Sequence, residues 1–125
     1  AKIKRRYKQM TRIQTESWLL LAIYFSGKTK AVSLQEVQEA ADFINHSPMA
    51  YSEFKYSLTM LIQRGLVQYI GHKLTLIDQS AIKFLEEQKN LGVHKVWDNL
   101  TNWLANVKVK PQVEIHLPSE KEFSS

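Results

Sequence analysis

Residues 54 to 78 read FKYSLTMLIQRGLVQYIGHKLTLID, and the change of period inside this run decides the fold. Phe54, Leu58, Leu61 and Ile62 recur at helical spacing, and Gly65 supplies a left-handed stop. Beyond it, residues 66 to 70 and 74 to 77 are β-rich apolar runs on either side of Gly71-His72-Lys73. A helix that passes through one glycine into a short-tipped hairpin is the expectation. Asp78 then caps a further helix running through Asn90, with Ile82, Phe84 and Leu85 as its apolar members.

Toward the N-terminus, Ser47 and Pro48 suit the cap and first position of the helix that contains Phe54, so it is expected over residues 48 to 64. Ser33 followed by Glu36 is a capping box, and Leu34, Val37, Ala41 and Ile44 form the apolar face of the helix it opens. Only Ala31 and Val32 remain for a short strand before that helix. Trp18, Leu21, Ala22 and Phe25 predict a first helix over residues 15 to 26, stopped at Gly27. Thr11 and Gln14 offer an earlier capping box, and Ile3, Tyr7 and Met10 share the helical spacing, which leaves two starting points open.

On the C-terminal side Gly92 ends the fourth helix. Val93, Val96, Trp97, Leu100, Trp103, Leu104 and Val107 mark a fifth, the strongest amphipathic pattern in the chain. Val109, Pro111, Val113, Ile115 and Leu117 then alternate with polar residues, so this segment is extended, and Pro111 keeps it off a central strand. Residues 118 to 125 are polar and expected to be disordered. The reading is a mainly α fold with a small β-hairpin: a basic arm at 1–12, one domain at 13–107, and a tail at 108–125.

The order helix, short strand, helix, tight turn, helix, hairpin, helix resembles the winged helix-turn-helix superfamily over roughly residues 15 to 90. Its most specific part is Phe54, Leu58 and Leu61, then Arg64-Gly65-Leu66-Val67, then Gly71-His72-Lys73-Leu74-Thr75-Leu76, similar to the recognition helix and wing of many bacterial regulators. Asp78 stands where many of those regulators have a glycine opening the next helix, a departure that weakens the subfamily match more than the fold. The fifth helix and the tail lie outside the common domain.

The resemblance implies that the third helix enters the major groove of double-stranded DNA. With Phe54, Leu58 and Leu61 turned inward, Met49, Ser52, Tyr56, Thr59 and Gln63 face outward, flanked by Lys55 and Glu53. Ser52, Lys55, Tyr56 and Thr59 are the candidate contacts on this helix, and His72 and Lys73 those on the wing; the same residues also suit an ordinary solvated surface. This outward set holds no arginine for bidentate reading of guanine.

Charge is distributed unevenly along the 125 residues. Of 17 Lys and Arg, five (Lys2, Lys4, Arg5, Arg6, Lys8) fall in the first eight residues without an acid, leaving equal numbers of each sign in the body and a formal net charge of +5 overall. The arm is therefore a candidate for phosphate affinity that falls with salt, whereas membrane-surface binding is disfavoured by its small apolar area. With no cysteine, disulfides and thiol chemistry are excluded, and a cytoplasmic address is the simpler reading.

The fifth helix has two outlets for its stripe, packing back onto the first helix or pairing with a second copy. The expectation is a homodimer through Val96, Trp97, Leu100, Trp103 and Leu104, matching two half-sites about one helical turn of DNA apart. The alternative is a winged-helix module that contacts another protein through this helix and the tail, whose alternation suits strand addition. An accessory DNA-binding factor in plasmid or phage replication, partition or conjugation has the same chemistry as a transcription regulator.

Enzyme readings lack support. His46, His72, His94 and His116 are not spaced as metal ligands on one helix face, and no phosphate loop, nucleophile elbow or carboxylate pair stands on an identifiable catalytic element. No metal and no cofactor are called for.

Overall fold

The structure is a computed structural model that describes residues 10–111 and 114–125. Among these residues six helices surround a three-stranded antiparallel sheet: α1 Arg12–Gly27, β1 Val32–Ser33, α2 Leu34–Asn45, α3 Tyr51–Gln63, β2 Val67–Ile70, β3 Lys73–Leu76, α4 Gln79–Glu87, α5 Val93–Leu104 and α6 Glu120–Ser124. The protein is thus mainly helical with a small sheet. None of these helices is long and apolar enough to cross a membrane.

The earlier of the two possible starts holds for α1. Gln14 accepts from the Thr11 N–H at 2.8 Å and Thr11 Oγ1 accepts from the Gln14 N–H at 3.2 Å, a reciprocal box that satisfies two N–H groups the helix leaves unpaired. Every residue from 15 to 24 is buried, because α2, α3, α5 and the sheet enclose this helix on all sides. The positive-φ residue that ends it is Lys28, at φ 56° and ψ −104°, and Gly27 does not form the expected left-handed stop. Gly27 is needed for closeness instead: a Cβ there would run into the Val32 side chain.

Ser33 and Glu36 cap α2 as expected. The third helix begins three residues later than the Ser47-Pro48 signal predicts, at Tyr51 with Ala50 as N-cap, whose N–H is bound by Glu53 at 2.9 Å. The reason is Met49. Helical phase would turn it outward, yet its side chain is buried, and only non-helical backbone ahead of Tyr51 allows that. At the other end Gly65 takes φ 76°, its N–H reaches the Ile62 carbonyl at 2.9 Å and the Leu66 N–H reaches Leu61 at 3.0 Å, a Schellman closure.

The hairpin that follows is tighter than a three-residue tip. Ile70 pairs with Lys73, so Lys73 belongs to β3 and only Gly71 and His72 form the loop, both at positive φ as a twist-compatible two-residue turn requires. Val32 pairs with Leu74 and Ser33 with Lys73, which gives the sheet order β1-β3-β2 and turns Leu74 and Leu76 into the core.

Asp78 caps α4 by accepting the Ala81 N–H at 2.9 Å, but α4 ends at Glu87, and Gly92 serves as the N-cap of α5 and not as the end of α4. Val96, Leu100 and Leu104 are buried in the chain's own core. Trp97 stacks on Trp18 with ring centroids 6.0 Å apart and donates its indole N–H to the Gln14 carbonyl at 3.0 Å. Trp103 stacks on Phe84 at 5.4 Å. Of the stripe expected at a dimer interface, Val96, Leu100 and Leu104 are thus buried within the chain and Trp97 and Trp103 are half-buried on α1 and α4, since packing apolar area intramolecularly removes it from water without the entropy cost of association.

Disorder of residues 118 to 125 is also corrected. Ser119 and Glu122 form a capping box at the start of α6, and the Phe123 ring sits in the core 4.7 Å from Phe54 and 5.5 Å from Tyr51. The Tyr51 hydroxyl donates to the Pro118 carbonyl at 2.8 Å, and the Gln38 amide donates to the Phe123 carbonyl at 2.6 Å. Residues expected to be disordered are therefore packed within the chain.

Candidate nucleic-acid interface

The outward side of α3 carries a short polar row. Ser52 and Lys55 are exposed on its first turns, as the helical phase requires once Phe54, Leu58 and Leu61 are buried. Tyr56 and Thr59 are only half-exposed. The Thr59 hydroxyl donates to the Lys55 carbonyl at 2.8 Å, a back-bond that leaves only its oxygen lone pairs for outside donors.

Tyr56 has a partner the sequence did not announce. The Arg12 guanidinium lies over its ring, 4.6 Å from the centroid, within cation–π range. Arg12 opens α1 and follows Met10, the first described residue, so the root of the basic segment is brought to the outward face of α3. Lys2, Lys4, Arg5, Arg6 and Lys8 themselves lie outside the described residues. Arg12 carried a signal only in hindsight, as the residue after the Thr11 cap.

On the hairpin, His72 and Lys73 are both exposed, but their surroundings are acidic. His72 Nδ1 is 2.8 Å from Glu122 Oε2 and 3.4 Å from the Tyr69 hydroxyl. The Ser119 N–H in the capping box holds the Glu122 carboxyl below the ordinary carboxylate range; desolvation, the next largest effect, opposes this, and His72 and the Ser119 hydroxyl add smaller lowerings. Burial first, and Glu122 second, push the Tyr69 phenol up. Glu36 is held low by the Ser33 N–H and hydroxyl, with a smaller contribution from Lys73.

The tail also touches α3 at its far end, where the Lys110 N–H donates to the Gln63 carbonyl at 2.8 Å. Beneath that contact Arg64 is buried: its Nε meets Glu16 Oε1 at 2.9 Å and its Nη1 donates to the Leu104 and Val107 carbonyls. Arg64 is therefore structural, tying α1, α3 and the end of α5.

At the C-terminal end of α1, Tyr24, Phe25, Lys28, Ala40, Phe43 and Lys89 line an open groove of about 460 Å³, in which Phe43 is 69% and Phe25 43% exposed. Among the described residues no three His, Asp or Glu side chains gather as a metal site would require. Compared with known protein families, curated proteins and solved structures, the chain matches none.

Proposed function

We propose that this chain is a winged-helix protein that binds double-stranded DNA without catalysis and serves as a transcription regulator. In this reading α3 enters the major groove, the β2–β3 hairpin is the wing, and residues 1–9 add phosphate affinity. The order α1-β1-α2-α3-β2-β3 with sheet order β1-β3-β2 supports it. The observation that carries most weight is Arg12 over Tyr56, because it joins the cationic segment to the same face as Ser52 and Lys55.

The test is duplex binding over a salt series, for the whole chain and for a variant with Lys2, Lys4, Arg5, Arg6 and Lys8 changed to Gln. Affinity should fall with salt, and neutralising the arm should flatten the slope. An absence of salt-dependent binding at low ionic strength would sink the reading.

The groove at Phe25 and Phe43 favours a second reading, a module for contact with another protein. Phe43→Ser would then abolish partner binding while duplex affinity stayed unchanged.

A further inference from the structure

We propose that residues 118–125 form a built-in competitor for nucleic acid, seated between the first turn of α3 and the hairpin tip, and that a duplex engages this face only when they leave. The inference rests on the DNA-binding reading above and adds a regulatory state to it.

The placement is specific. Phe123 packs on Phe54 and Tyr51 at the start of α3, Gln38 of α2 holds the Phe123 carbonyl, and Glu122 reaches His72 at the tip of the hairpin. One short segment thus bridges the two elements that a duplex would have to touch together. It also engages a ligand group: the imidazole of His72 that would meet a phosphate, although still largely exposed, already faces a carboxylate at 2.8 Å. Glu122 brings negative charge to the hairpin tip, where phosphates within roughly 8–10 Å would feel it at physiological salt, while Lys121 offsets Glu120.

The attachment is also of a kind that can be undone. α6 has five residues, far below the length at which a helix holds itself in water, so it persists only through its anchors. Those anchors are one buried aromatic ring, one buried proline, two side-chain hydrogen bonds to its backbone and the His72–Glu122 contact. Upstream, Lys110 on the Gln63 carbonyl keeps the chain tethered to the far end of α3, so a released α6 stays close and can return. Docking and duplex binding then exclude one another, and the observed affinity is the intrinsic one reduced by the fraction of molecules with the segment released.

The experiment uses the full chain, Phe123→Ala and Glu122→Gln, with a fluorescein-labelled 20-base-pair duplex at low ionic strength as probe. Hydrogen exchange over residues 114–125 reports separately whether the segment is docked. Phe123→Ala should lose protection there and bind the duplex roughly tenfold more tightly, the ratio for a segment docked about nine-tenths of the time. Glu122→Gln should give a smaller gain, and saturating duplex should strip protection from the unaltered tail. Unchanged affinity in a Phe123→Ala protein whose tail exchanges freely overturns the competitor and leaves DNA binding standing. If the alanine variant fails to fold, Glu122→Gln decides, since unchanged affinity there also overturns it. Absence of binding by every version removes the DNA reading and the competitor with it.

Discussion

Glu16 and Arg64, 48 positions apart, form an ion pair of 2.9 Å inside the core, with the guanidinium also bonded to two carbonyls at the end of α5. Glu16 is completely enclosed, so the pair is fixed by what would remain if either partner were lost. Arg64→Ala should destabilise the fold by about 3–5 kcal/mol, since it strands a buried carboxylate and frees two carbonyls. Urea denaturation measures this, and a loss below about 1 kcal/mol would show that Glu16 finds another partner.

The same carboxylate sets a pH dependence. Burial raises the pKa of Glu16 above the ordinary 4.5, outweighing the lowering by Arg64. The folded protein therefore holds this proton more tightly than the unfolded chain, so the contribution of Glu16 is greatest below 4.5 and declines as pH rises through the folded-state value. Glu36 and Glu122 are lowered and act oppositely, their contributions present above 4.5 and lost as pH falls through the folded-state values. The stability difference between the unaltered chain and Glu16→Gln should shrink as pH rises above 4.5, until Glu16 is ionised in the folded state as well. A difference that grows with pH contradicts this.

Ser57 points its hydroxyl into the core beside Phe54, Leu58 and Leu61 with no hydrogen-bond partner among the described residues. Removing an unsatisfied buried hydroxyl costs nothing in bonding, and alanine is the better helix former. Ser57→Ala should raise stability by about 1 kcal/mol, seen as a higher urea midpoint at unchanged slope. A destabilised variant would mean that the hydroxyl has a partner in solution.

At Gly27 the backbone passes so close to the buried Val32 side chain that a methyl group cannot fit without displacing that side chain. Gly27→Ala should cost about 1–3 kcal/mol despite the higher helix propensity of alanine. Gly27→Ala combined with Val32→Ala should recover part of the loss; if the double variant is merely additive, the close approach is not the cause.

On the proposed DNA face, Lys55→Ala should weaken binding to all duplexes alike and reduce the slope of log K against log[salt] by about 0.9. A change confined to one DNA sequence would instead make Lys55 a reader of bases.

Local signals were legible in the sequence wherever a few neighbouring residues decide the outcome. The Thr11 and Ser33 capping boxes, the Gly65 stop, the Asp78 cap and the hairpin turn all depend on contacts between near neighbours in the chain. The start of α3 was not legible, because burial of Met49 is a tertiary demand that overrides the Pro48 signal. The α5 stripe announced that it would be buried but not against what. Ser119 and Glu122 have the same spacing as Ser33 and Glu36, so α6 was readable in principle, yet one phenylalanine in a polar run gives no periodicity. Of the candidate site, exposure of Ser52 and Lys55 followed from helical phase. Arg12 on Tyr56 and Glu122 on His72 join positions 44 and 50 apart in the chain, beyond any pattern of spacing.

The positions of the three tryptophans also set what light can report. Trp18 and Trp97 stack 6.0 Å apart and Trp103 lies on Phe84, so all of the indole absorbance monitors how α5 seats on α1 and α4. The close Trp18–Trp97 pair should couple excitonically in circular dichroism, a band that vanishes when the core melts. The aromatic partners of Phe123 are Tyr51 and Phe54, and the ring in the outward row of α3 is Tyr56, so tryptophan-selective emission will register unfolding while tyrosine emission follows the tail and the α3 face.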